Sequence, residues 1–125
     1  MRYQRDDFEA WVDDAWASIP DHIRAQFSNL NVAVEDEPSS EQLHAGRVPP
    51  GGTLLGLYQG VPLARRGWHY QMALPDRVTL FQGPLERHTR GDIRQAIYQT
   101  LWRELGHHLG MNEAEVRAAE KRKFG

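Results

Sequence analysis

Thr89-Arg-Gly-Asp-Ile-Arg-Gln-Ala-Ile-Tyr-Gln-Thr-Leu-Trp-Arg-Glu-Leu-Gly-His-His-Leu-Gly-Met-Asn-Glu-Ala-Glu115 reads as a long helix, a glycine stop and the start of a second helix. Thr89, followed three residues later by Asp92, predicts a capping-box-like start. Gly110 suits the position after the helix end, because glycine takes the left-handed conformation without a Cβ penalty. Asn112 and Glu115 repeat the start signal. At about 100° per residue, Ile93, Ile97, Leu101, Leu105 and Leu109 fall on one apolar arc. Thr100, Arg103, Glu104 and His107 gather on the neighbouring face. An acid, a cation and an imidazole therefore meet one turn before the chain reverses.

The spacing Glu104-x-x-His107-x-x-Gly110-x-x-Glu113 carries the chemistry. In His-Glu-x-x-His zinc hydrolases, two imidazoles four residues apart share a helix face, and the glutamate takes a proton from metal-bound water. Here Glu104 holds the general-base position, His107 the second histidine position, and Glu113 that of a third ligand beyond the turn glycine. The first histidine position holds Arg103. Arginine stays protonated and has no lone pair to give a metal. The expectation is that its guanidinium stands in the metal's place, pairing with Glu113 and with Glu104 in reach. His108 lies in the apolar arc and is expected to be a core histidine rather than a ligand. His69 and His88 fall in expected loops, where a surface role is the default.

Three stretches carry a family resemblance: Leu54-Leu-Gly-Leu-Tyr-Gln-Gly-Val-Pro-Leu63, Leu74-Pro-Asp-Arg-Val-Thr-Leu-Phe-Gln-Gly-Pro-Leu85, and Glu104-Leu-Gly-His-His-Leu-Gly110. With them the chain, from about Phe8 to about Glu115, resembles the minimal zincin or zincin-like metallopeptidase family of small bacterial proteins. The resemblance implies a small mixed β-sheet lying over an active-site helix. It implies zinc as cofactor and peptide hydrolysis as the ancestral chemistry, with an edge strand beside the helix pairing with the peptide. Arg103 departs from the pattern, so zinc is expected not to be held tightly and hydrolysis to be weak or lost. A peptide- or protein-binding role in the old cleft is then the expectation. The alternative is an active peptidase using His107, Glu113 and one loop histidine.

Composition sets the frame. The chain has 125 residues, 40% hydrophobic and 26% charged, which suits one domain spanning residues 1–125 with one core. The formal net charge of -2 favours neither nucleic acid nor a membrane surface. With no cysteine, any metal would take His, Asp or Glu ligands. No apolar run nears the roughly 20 residues of a membrane span, and a cytoplasmic protein is expected.

Along the rest of the chain, Phe8, Trp11, Val12, Ala15, Trp16 and Ile19 predict an amphipathic helix over about residues 5–19, stopped at Pro20. The two tryptophans are expected in the core. Asp21–Gln26 suits one helical turn. Strands are expected at Asn31–Glu37, Thr53–Gln59 and Arg77–Gln82, the last ended by Gly83-Pro84. Ser39 or Ser40 suits a cap for a short helix near Glu41–Ala45, and Pro49–Gly52 is a turn. Residues 61–75 form a long loop whose Trp68, His69 and Tyr70 either line a peptide cleft or pin the loop to the core. Arg65-Arg66 lacks the extended basic patch of a nucleic-acid surface. Helices, then strands, then helices point to the α+β class.

Overall fold

The structure is a computed structural model that describes residues 2–60 and 75–111, with Ala114, Glu115, Arg117, Ala118 and Lys121 beyond them. Trp68, His69, Tyr70, Asn112 and Glu113, on which several expectations fall, lie outside the described residues.

The elements run α1 (Arg5–Ser18), α2 (Asp21–Arg24), β1 (Leu30–Glu35), α3 (Ser40–Ala45), β2 (Gly56–Gln59), β3 (Asp76–Phe81), α4 (Gln82–His88) and α5 (Ile93–His108). The fold is α+β, with a small mixed sheet. Its strand order is β1-β3-β2. β1 runs parallel to β3, with Val32 opposite Val78, and β2 runs antiparallel to it, with Tyr58 opposite Val78. β3 is central, and Val78, Thr79, Leu80 and Phe81 are all buried. Such burial suits a strand covered on both faces.

The site helix α5 packs across β2 and β3, and α1 packs on α5. The apolar arc read from the sequence is the face that does this. Ile93, Ile97, Leu101 and Leu105 are buried, and Leu109 is half-buried against the core. Each buried leucine or isoleucine contributes roughly 1.5–3 kcal/mol by leaving water. Phe8, Val12, Ala15 and Ile19 bring α1 into the same core. Trp11 and Trp16 are only half-buried; they pack on the core's rim, with Trp11 edge-on to Tyr3 at 5.2 Å.

Local signals act largely as read. Ser39 caps α3 in a capping box with Gln42. Gly110 has φ +80°, and its N–H donates to the His107 carbonyl while the Met111 N–H donates to Gly106. This is the paired hydrogen-bond pattern of a Schellman stop.

Three boundaries differ. The second strand begins at Gly56 rather than Thr53. The Leu54 side chain is taken up beneath α3, so close to Gly46 that a Cβ there would come within 2.9 Å of it. Gly83-Pro84 does not merely end β3. It lies in the first turn of α4, where proline's missing N–H would have no helical partner anyway. Thr89 is consequently the C-cap of α4, and Asp92 alone caps α5, accepting from the Arg94 N–H at 2.9 Å.

Candidate active site and the groove beside it

The C-terminal half of α5 lies under β2, and a missing side chain makes this approach close. A Cβ at Gly56 would come within 2.9 Å of Thr100 Cγ2 and 3.3 Å of Glu104 Cγ. Glycine removes that obstruction, and β2 settles onto the helix. Two residues on, the Tyr58 N–H donates to Glu104 Oε1 at 3.0 Å. The general-base candidate is thereby fixed to the backbone of β2, an edge strand among the described residues.

Glu104 is half-buried, and burial pushes its carboxyl above the ordinary carboxylate range. The Tyr58 N–H, then His107 and Arg103, pull the other way without overcoming it. Desolvation penalises the charged form more than one hydrogen bond and two flanking basic side chains restore it. A carboxyl poised upward on a helix face suits proton abstraction.

His107 is exposed in the last turn of α5, on the far side of Glu104 from Arg103 in the chain. Arg103 is half-buried and lines a groove of about 370 Å³ running back along α5. His108 corrects an expectation. It is exposed rather than a buried core residue, in the last turn of α5 where the apolar arc runs out of the core. Its apolar-arc direction survives as a ring contact: it stacks on Tyr58 at 4.1 Å with 21° between planes, and lies 5.7 Å from Phe27. Tyr58 is held from its other end, its hydroxyl donating to Asp76 Oδ2 at 2.6 Å. His88 is not in a loop; it ends α4 and lines the groove.

The arrangement thus joins Glu104, Arg103 and His107 on one helix, and adds Gly56 and Tyr58, which motif reading passes over. Their signal is present in the sequence. A lone glycine inside an apolar strand pattern marks a close backbone approach. Among the described residues, no three His, Asp or Glu side chains are placed to hold a metal ion. Arg103, in the turn before His107, carries a guanidinium with no lone pair to offer a metal.

A mixed sheet lying on a helix that carries Glu104-x-x-His107 is the architecture of a zincin-like protein. The sequence profile of zincin-like metallopeptidases matches residues 27–122, and the chain belongs to that family. The fold also matches a solved structure, a conserved hypothetical protein from Thermo thermophilus, at a TM-score of 0.59 and 22% identity. The match covers 86% of this chain and 94% of that one, and it speaks to the fold alone. No curated protein matches. Among the described residues no helix is long and apolar enough to cross a membrane.

Proposed function

We propose that this protein is a zincin-like peptide-binding protein whose hydrolytic site is degenerate. The observation that carries the proposal is Arg103 at the position of the first histidine ligand, directly before Glu104. A fixed positive charge there opposes a dication and supplies no ligand to it. Zinc is therefore held weakly or not at all, and peptide hydrolysis is slight. The cleft remains suited to a peptide: among the described residues β2 is an edge strand packed on the site helix, the arrangement that takes an extended chain by strand addition.

Zinc titration into metal-stripped protein, followed by calorimetry, tests this beside an Arg103→His variant. The natural protein is expected to give no saturable heat and the variant to bind. Tight binding by the natural protein would sink the proposal. A second reading is supported by the upward-shifted Glu104 carboxyl, which suits a general base. In that case the protein is an active peptidase using His107, Glu113 and a loop histidine. Stoichiometric metal by elemental analysis, with cleavage of a peptide mixture, would establish it instead.

A further inference from the structure

The register of the sheet decides which backbone groups of β2 face away from β3. The Phe81 N–H donates to the Leu55 carbonyl at 2.9 Å, and further along Leu57 lies opposite Thr79 and Gln59 opposite Arg77. In an antiparallel pair, residues that exchange hydrogen bonds alternate with residues that do not. Leu57 and Gln59 therefore turn their N–H and carbonyl groups toward β3. Gly56 and Tyr58 turn theirs the other way, to the outer side of β2 among the described residues.

The outward Tyr58 N–H is already taken. Glu104 Oε1 accepts from it at 3.0 Å, an ordinary length for a bond between strands. The same side chain also lies against Gly56, where a Cβ would come within 3.3 Å of Glu104 Cγ. One glutamate thus lies against both residues of β2 whose backbone faces outward. Gly56 is buried and Tyr58 half-buried, so in this state the outer side of β2 offers no open run of backbone. Tyr58 is itself pinned, its hydroxyl on Asp76 at 2.6 Å and its ring on His108 at 4.1 Å. The partner free to leave is the Glu104 side chain, through its own χ rotations.

We infer that Glu104 makes an autoinhibitory contact: its carboxylate oxygen stands where the carbonyl of an added peptide strand would stand, and β2 takes a peptide only when Glu104 swings off the Tyr58 N–H. A carboxylate oxygen accepts from a backbone N–H as a peptide carbonyl does, so the two compete for one donor. The inference rests on the peptide-binding proposal above and deepens it by giving that site its regulation. The occupant is an extended peptide backbone, held through main-chain pairing rather than through the charge of its side chains.

Fluorescence anisotropy with the full chain tests it, using a labelled, end-blocked hexapeptide of alternating Thr and Val. A copy N-methylated at its two central residues, which blocks both of its pairing edges, serves as control. Three variants separate reach from charge. Glu104→Ala removes the acceptor, Glu104→Asp keeps the charge but falls a methylene short, and Glu104→Gln keeps the reach without the charge. Ala and Asp are expected to bind the hexapeptide about tenfold tighter than the natural protein, on the scale of one charge-assisted hydrogen bond. Gln should stay within about threefold of the natural protein, and the methylated copy should bind to none. Hydrogen exchange at the Tyr58 amide should be slow in the natural protein and in Gln, and faster in Ala and Asp. Equal hexapeptide affinity in the natural protein, Ala and Asp would overturn the autoinhibitory contact and leave peptide binding standing. A gain in Gln as large as in Ala would overturn it too, by reducing the effect to charge. Self-association of the Ala variant in sedimentation, without hexapeptide binding, would overturn the peptide assignment and put a second copy of the chain on β2. Absence of binding by every variant would overturn both proposals. Should Ala and Asp fail to fold, the Glu104 carboxyl carbon resonance in the natural protein decides. It should shift when the hexapeptide saturates the site, and an unmoved resonance in the bound state would overturn the inference.

Discussion

Glu86 and Glu104 are both glutamates drawn into the fold, and their surroundings differ. Glu86, on α4, is 9% exposed. Its Oε2 accepts from the Tyr3 N–H at 2.7 Å and from Gln82 Nε2 at 3.0 Å. Gln82 in turn donates to the Tyr3 carbonyl and accepts from Arg5 Nε at 2.7 Å. That network ties the N-terminal segment to α4, and each partner is held by the next. Glu104 is half-buried and has one backbone donor, the Tyr58 N–H, with its carboxyl pushed up by burial. A carboxylate supplied with donors holds structure together. One whose burial outweighs its donors is suited to taking up a proton. The first group anchors the fold, and the second belongs to the candidate site.

The largest effect should come from breaking the anchored member. Glu86→Ala leaves the Tyr3 N–H and the Gln82 amide without their shared acceptor in a buried place. Burying such donors unpaired costs about 1–3 kcal/mol each, tempered by whatever water enters. A loss of roughly 2–3 kcal/mol is expected in urea denaturation, with the slope unchanged. A loss below about 0.5 kcal/mol would show that the N-terminal network is ornamental and that the contrast with Glu104 is false.

The contrast also marks what the sequence could and could not say. The α5 arc was legible because helical periodicity reports burial directly, and Ile93, Ile97, Leu101 and Leu105 are all in the core. Glu104, Arg103 and His107 were legible because their spacing on one helix is fixed by the helix itself. The Glu86–Gln82–Tyr3 network was not legible. It joins residues about eighty positions apart through a short helix hidden behind Gly83-Pro84, a pair that reads as a turn. The Tyr58–Glu104 bond failed to show for the same reason. It depends on which strand lies over the helix, and strand order does not follow from the residue pattern of β2 or β3. His108 reads onto the correct side of α5 but too deep, because periodicity gives direction and not depth.

Breaking the site member should do the reverse of breaking the anchor. Glu104→Gln keeps an acceptor for the Tyr58 N–H and removes a partly desolvated charge. Burial raises the folded-state pKa of Glu104 above that of the unfolded chain. Its favourable contribution is therefore complete below the unfolded pKa and is lost as pH rises through the folded pKa. The variant should melt about 2–4 °C higher than the natural protein at pH 7, and the gain should vanish near pH 4, where both are neutral at this position. A lower melting point at pH 7 would mean that the carboxylate, like that of Glu86, is structurally satisfied.

The smallest effect separates burial from pairing. Arg87 donates to both carboxylate oxygens of Glu37, at 2.7 and 2.9 Å, beside the same α4 network. The pair has near-ideal geometry, and both side chains are about half exposed. The Arg87 hydrogen bond holds the Glu37 carboxyl below its ordinary range. With the folded pKa depressed, the pair's contribution is present above the unfolded pKa and is lost as pH falls through the folded pKa. Glu37→Gln should therefore lower the melting point by no more than about 2 °C at pH 7, and by less in high salt and in acid. If this exposed pair proved as costly to break as Glu86, pairing rather than burial would set the strength of the α4 anchor. The distinction drawn between Glu86 and Glu104 would then have to rest on donor number alone.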